Sequence, residues 1–309
     1  MNLLHLRYVV EVEKTGSITK AAQNLYMGQP NLSKAIKELE QSIGITIFRR
    51  TAKGVQPTAK GMEFLTYAKT ILSQIDELES LYKPQDSKSC VFNVSVPRAT
   101  YIAAAFCRFI QQFNHCDSIK IYFKETNPVT AINDVASGES NMGVVRYQEI
   151  YEEHFEKLLQ YNELDSELLW QYQSVVMMAN DHPLADYADI PYHELMAYTE
   201  IVHGDYQVPS LSFSEIKRSN GMESAHRRIY VYDRGSQYDL LKTVPGAFMW
   251  VSPVPRKNLE QNGFVTRPCS LAGGLNKDIL IYPSGHAIGK VGEALRTVLQ
   301  ESVKELQEN

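Results

Sequence analysis

Residues 17 to 50, SITKAAQNLYMGQPNLSKAIKELEQSIGITIFRR, set two short amphipathic helices on either side of a tight turn, a pattern few folds accommodate. Ser17 is placed to N-cap the first helix by accepting from N–H groups that the first turn leaves orphaned. Ile18, Ala21, Ala22 and Leu25 recur on one face, so a helix is predicted over roughly 18–26. Gly28 is expected to supply the positive φ that ends it, and Pro30 to open the next helix, where its missing N–H is no loss. Leu32, Ile36, Leu39 and Ile43 then step by four, three and four residues, which makes one buried stripe closed by Gly44. Asn31, Ser33, Lys34 and Lys37 are left facing out, with Gln29 and Asn31 at the helix start. Amides can pair with adenine edges, hydroxyls serve either role, and lysines neutralise phosphate or reach guanine. The stretch therefore reads as a DNA-reading helix-turn-helix; the alternative is a solvated helix in an ordinary helical subdomain.

The residues after Gly44 favour the DNA reader. Ile45, Ile47 and Phe48 lead into Arg49-Arg50-Thr51-Ala52-Lys53-Gly54, then Val55 and a new helix start at Pro57-Thr58. This is the outline of a short hairpin wing with a basic tip, suited to phosphate or minor-groove contact. The net charge of −5 is unevenly spread. Residues 1–60 hold nine Lys/Arg against four Asp/Glu, a balance of +5, which leaves 22 against 32, or −10, for the rest. A basic head on an acidic body suits a chain in which one small domain handles nucleic acid.

Taken together, Ser17, Thr19, Ala21-Ala22, Leu25, Gln29-Pro30, Ser33, Ile36, Leu39-Glu40, Gly44, Phe48, Arg50, Thr58 and Gly61 resemble, in register, the N-terminal domain of LysR-type transcriptional regulators. The chain departs from that pattern at Gly28, where the family usually has serine, and at Ile43 and Ile47, where leucine is usual. By this resemblance Ser17, Gln29, Pro30, Asn31, Ser33, Lys34 and Lys37 belong to the DNA-binding set, with Arg50 and Lys53 on the wing; Arg50 has packing as its alternative role. Gly28 lacks the hydroxyl through which the family's serine would meet phosphate.

Residues 58–82 form a proline-free helical pattern in which Phe64, Ala68, Ile71, Ile75, Leu78 and Tyr82 alternate steps of four and three, a heptad seam. Leu65, Leu72 and Leu81 widen the apolar face beyond one seam, which calls for a partner helix or for packing against its own domain. The resemblance implies that this linker helix pairs with its twin, giving a homodimer that reads two half-sites and assembles further into a homotetramer. Lys83-Pro84-Gln85-Asp86-Ser87 reads as a hinge.

From Val91 strands alternate with helices, the order of an α/β domain. VFNVSV, IKIYFKE and NMGVVRY form one set, and ELLWQY, QSVVMMA, RIYVYD, GAFMWVS and FVTRP a second, before KDILIYPS and a terminal helix. HPLAD at 182–186 and VPGAFMWVSP at 244–253 are similar to features of the LysR effector domain. The fold expected is an all-α winged helix-turn-helix N-terminal domain with a linker helix, plus an α/β two-lobed periplasmic-binding-protein-like effector domain. The boundaries are 1–58, 59–87 and 88–309, with lobe 1 at about 88–163 and 267–309 and lobe 2 at about 164–266. Crossings between lobes are expected near 162–168 and 263–268. A small-molecule effector would lie in the interlobe cleft. Its candidate lining is Pro97, Arg98, Ala99 and Thr100 after the first strand, Thr126 after the second, Arg146 after the third, and Val202 and His203 further on. Thr100 can instead cap the helix it opens. Arg98 and Arg146 can fork onto an anionic metabolite or onto a neighbouring carboxylate.

Cys90, Cys107, Cys116 and Cys269 show no metal-ligand or disulfide spacing. No cofactor or metal is expected. No apolar run reaches membrane-spanning length, and the charged N-terminal segment does not read as a signal peptide, so a cytoplasmic protein without a membrane partner is expected. A cytosolic α/β enzyme or a plain ligand-binding protein using the same cleft is the alternative. Against the enzyme stands the lack of G-x-G-x-x-G after a strand, of a P-loop and of G-x-S-x-G.

Overall fold

The computed structural model describes residues 2–51, 54–82, 89–114, 116–204, 227–270, 275–285 and 288–308, without the side chains at 73, 76–82 and 89. The chain divides into two compact units, Met1–Lys88 and Ser89–Asn309.

In the first unit, helices α1 (Leu3–Thr15), α2 (Ile18–Asn24) and α3 (Gln29–Ile43) precede a hairpin, β1 (Phe48–Thr51) and β2 (Gly54–Pro57), and the long helix α4 (Ala59–Tyr82). Val9, Val12, Ala21, Leu32, Ile36, Leu39, Ile47 and Leu65 close one buried core, which is the expected stripe of α3 meeting its neighbours. The turn is built differently from expectation. Helix α2 stops at Asn24, the left-handed residue is Tyr26 with φ 52°, and Gly28 sits at φ −71° as the N-cap of α3. Two N–H groups inside the turn explain the shift. Tyr26 donates to the Gln23 carbonyl at 3.1 Å and Met27 to that of Ala22 at 3.0 Å, so the chain has already reversed before Gly28.

The hairpin pairs Thr51 with Gly54. Lys53 lies outside the described residues. Gly54 has φ +112°, and a Cβ there would come within 2.7 Å of the Gly16 carbonyl, so the wing lies tight against the end of α1. The apolar face of α4 is spent partly at home. Leu65 and Ala68 are buried, Phe64 packs on the core, and Lys69 pairs with Glu13 at 3.1 Å. Ile71 and Ile75 remain half-exposed. The seam expected at Leu78 and Tyr82, and the 83–87 hinge, fall outside the described side chains.

The second unit holds two five-stranded sheets. The first has the order β4 (Ser118–Glu125), β3 (Ser89–Val96), β5 (Met142–Gln148), β12 (Leu275–Pro283) and β6 (Leu164–Gln173). The strand β3 runs parallel to both neighbours, and β12 antiparallel to both of its own. Strand alternation splits the core. Leu280 turns to the side holding α5 (Thr100–Gln111) and the terminal helix, and Ile279 and Ile281 turn to the side holding α6 (Pro128–Ala136) and α7 (Glu152–Tyr161). The second sheet has the order β11 (Phe264–Arg267), β7 (Val175–Ala179), β10 (Ala247–Val251), β8 (Thr199–His203) and β9 (Arg227–Val231). It packs Met177, Ile201 and Met249 on one side with Leu241 of α8 (Arg234–Thr243), and Val176, Met178 and Phe248 on the other. The small helix α9 (Arg256–Asn262) and the terminal helix α10 (Gly289–Gln307) complete the order.

The first crossing falls later than the sequence suggested. ELLWQY belongs to β6, which pairs with β12 from Leu164 through Gln173, so the first crossing is at Ser174 and not at 162–168. The return follows β11, after Arg267. A strand with one face half-covered at a sheet edge reads like the start of a new unit, which is why the boundary was displaced by about one strand.

Candidate functional site

In the head, α3 presents Pro30, Asn31, Lys34 and Lys37 to solvent, with Gln29 and Ser33 half-buried beside them. Lys34 keeps 78% of its side chain exposed while its ammonium lies 3.8 Å from Glu38 one turn on. A single pair of that exposure is worth little, so the lysine remains available to a stronger anion. Arg49 and Arg50 are both exposed on β1, so packing does not occupy Arg50. Ser17 is committed locally: its hydroxyl caps α2 by accepting from the Lys20 N–H at 3.4 Å. The wing is held to the reader by Glu40, whose carboxylate accepts the N–H groups of Ile47 at 2.6 Å and Phe48 at 3.1 Å. No side chain caps α3, because Gly28 has none to offer.

Between the two sheets of the second unit lies a cavity of about 350 Å³. It gathers all the expected segments: Pro97 to Thr100, Thr126, Arg146, Val202 and His203. Their chemistry differs in part from expectation. Arg146 forks onto the fully buried Asp278, Nε to Oδ1 and Nη2 to Oδ2, both at 2.7 Å. The same carboxylate accepts from Tyr101 at 2.5 Å, and Trp170 donates to the Tyr101 hydroxyl at 3.1 Å. Burial works against the guanidinium charge, yet Asp278 alongside holds the Arg146 pKa well above its ordinary value. Burial and the same carboxylate keep the Tyr101 phenol protonated. Arg146 is thus a wall of the cavity whose fork is already filled.

Thr100 does not cap α5; Ala99 is the N-cap, and the Thr100 hydroxyl crosses to the other lobe, 2.8 Å from the Tyr238 hydroxyl. Arg98 also crosses, its Nη2 donating to the Tyr232 carbonyl at 2.9 Å. Thr126 is nearly buried, with its N–H on the Val96 carbonyl at 2.8 Å. Gln237 Nε2 lies 2.6 Å from His203 Nδ1.

Several lining residues escaped the sequence reading. Arg234 at the start of α8 pairs with Glu125 of β4 at 2.9 Å, and Arg228 pairs with the buried Glu200 at 2.9 Å. Asn276 donates to the Ser174 hydroxyl at 2.9 Å, tying the start of β12 to the first crossing. The available signal was Asp233, an N-cap accepting from Ser236, which fixes Arg234 at the first position of a helix facing the cleft. Tyr172, Tyr238, Met177, Met249 and Trp250 give the wall its apolar part. Among the described residues no cluster of His, Cys, Asp and Glu can hold a metal ion, and no helix is long and apolar enough to cross a membrane.

Residues 3–62 match the family model described as bacterial regulatory helix-turn-helix protein, lysR family. Among curated relatives, the transcriptional regulator CysB of Burkholderia cenocepacia is 28% identical over 211 residues, 66% of this chain and 64% of the relative. The regulator BenM of Acinetobacter baylyi is 42% identical over 83 residues, 27% of each chain. The matched stretch thus spans less than two thirds of the length of these relatives. In structure, a full-length OxyR point variant of Pseudomonas aeruginosa superposes with a TM-score of 0.64 at 17% identity, covering 98% of this chain and 95% of that one. ArgP of Mycobacterium tuberculosis reaches 0.67 at 13% identity, with 96% of each covered. At such identities the likeness is one of fold.

Proposed function

We propose that this chain, a member of the LysR-type regulator family, binds double-stranded promoter DNA through α3 and the β1–β2 wing and changes its grip when a small molecule fills the interlobe cavity. The observation that carries the reading is the pairing, on one polypeptide, of a basic helix-turn-helix matching that family with a two-lobed domain enclosing about 350 Å³, a volume suited to a metabolite. Its curated relatives bear the names of transcriptional regulators and not of enzymes. The effector carries an anionic group, which meets the part of the cavity lined by Arg98 and the first turn of α5. A ligand that favours one lobe arrangement shifts the population of the assembled regulator, and so the spacing or bend of two half-sites. Pairing of α4 with its twin makes the homodimer, two dimers make a homotetramer, and the protein works in the cytoplasm.

A footprint on the DNA upstream of its own gene, at stated salt, tests the reading. Protection is expected from the wild type and its pattern is expected to change with a metabolite selected by thermal shift. Protection unaltered in the Gln29→Ala/Lys34→Ala double variant would refute the recognition face. Sedimentation that shows only single chains would remove the two-half-site arrangement.

A further inference from the structure

Tyr26 stands out in the head because the fold gains nothing from its ring. The residue is 97% exposed, and its side chain makes no hydrogen bond or ring contact among the described residues. It also occupies the left-handed region, φ 52°, which a side chain beyond glycine, asparagine or aspartate adopts at a cost of order 1 kcal/mol. For the turn alone glycine or asparagine is the better residue. An aromatic held in a strained conformation and packed on nothing has its use outside the chain.

Its position indicates what it meets. The turn places Tyr26 two residues before Gly28, the N-cap of α3, on the solvent side of the helix start that exposes Pro30, Asn31 and Lys34. Gly28 itself offers that start no side chain. A phenol carried on the preceding turn can reach the strand that flanks a helix lying in the groove, and the basic balance of the head favours a phosphate as the group it finds. We propose that the Tyr26 hydroxyl donates a hydrogen bond to a backbone phosphate at the rim of the major groove, supplying the anchoring contact that Gly28 cannot make. The proposal rests on the head being a DNA reader and adds to that reading a residue outside the expected set.

A neutral donor leaves a distinct signature. A hydrogen bond to a charged acceptor supports roughly a tenfold change in affinity, but the phenol displaces no counterion, so its loss leaves the salt dependence of binding unaltered. Loss of a lysine contact lowers that slope by about one. The experiment is fluorescence anisotropy of the full-length protein on a labelled mixed-sequence duplex across a salt series. Tyr26→Phe and Tyr26→Asn are compared with the wild type and with Lys34→Ala. Asparagine takes the positive φ more readily, so Tyr26→Asn is expected to melt no lower than the wild type and its loss of affinity cannot be one of folding. Both Tyr26 variants are expected to bind about tenfold more weakly at an unchanged slope. Tyr26→Phe binding as the wild type overturns the phosphate contact and would hand the exposed ring to a protein partner. A wild type that fails to bind the duplex, or a Lys34→Ala slope that does not fall, overturns the DNA-reading face itself.

Discussion

Asp278 is completely buried, with Arg146 forked onto it and the Tyr101 phenol donating at 2.5 Å. Removing the carboxylate leaves a guanidinium in the protein interior without its counter-charge, and that uncompensated charge dominates the cost. Asp278→Ala is expected to lower unfolding stability by about 3 kcal/mol, whereas Tyr101→Phe, which deletes the bond to Asp278 and the one accepted from Trp170 but leaves no bare charge, is expected to lower it by about 1.5 kcal/mol; urea titration separates them. His182 is the opposite case, a ring kept neutral. Burial lowers its pKa below the ordinary value, against the Gly246 carbonyl and Asp181, which raise it, and its Nδ1 accepts from the Leu184 N–H at 3.0 Å. The unfolded chain therefore takes up the proton first as pH falls. Stability is intact above the ordinary histidine range and declines as pH drops through it toward the lowered folded value. Melting curves between about pH 7 and 5 should show this decline, and His182→Gln should flatten it.

At the scale of elements, the helix-turn-helix was legible because its apolar spacing and its turn are local, and Leu32, Ile36 and Leu39 are buried as their spacing required. Gly61 was visible only as part of a pattern, and its reason is spatial. A Cβ there would collide with the Ile47 carbonyl, because α4 lies directly on the strand leading into the wing. Gly61→Ala is expected to cost about 2 kcal/mol or more and to loosen the wing, read as faster amide exchange at Ile47 and Phe48. The cavity was half legible. Segments at strand ends were found by α/β order, but Arg234, Gln237 and Tyr238 sit on a helix that packs polar residues toward the cleft, and beyond the Asp233 cap that marks its start nothing in DRGSQYDLLK separates such residues from a solvated face. The misplaced crossing at 162–168 has the same origin, since the partner of β6 is β12, more than a hundred residues later.

At the scale of the molecule, the two lobes are joined by more than their crossings. Thr100 meets Tyr238, Arg98 meets the Tyr232 carbonyl, and Glu125 meets Arg234, each contact reaching from lobe 1 to α8 or to the segment before it. The Arg234–Glu125 pair is about four-fifths buried on both sides, a setting in which a broken pair is felt. Arg234→Ala combined with Tyr238→Phe is expected to raise amide exchange across α8 and the first turn of α5, with β5 and β12 unchanged; exchange rising equally everywhere would mean global destabilisation instead. The sheet order of lobe 1 carries a consequence for synthesis. Its strand β12 lies between β5 and β6 but leaves the ribosome only after the whole of lobe 2. Until then β5 has one unpaired edge and β6 lacks its only strand neighbour, and the buried positions facing Ile279, Leu280 and Ile281 are unfilled. Lobe 2 is a continuous stretch and can complete itself first. The lobe that begins earlier thus finishes later, and a nascent chain halted before residue 275 exposes the two strand edges that a chaperone or a second nascent chain would cover.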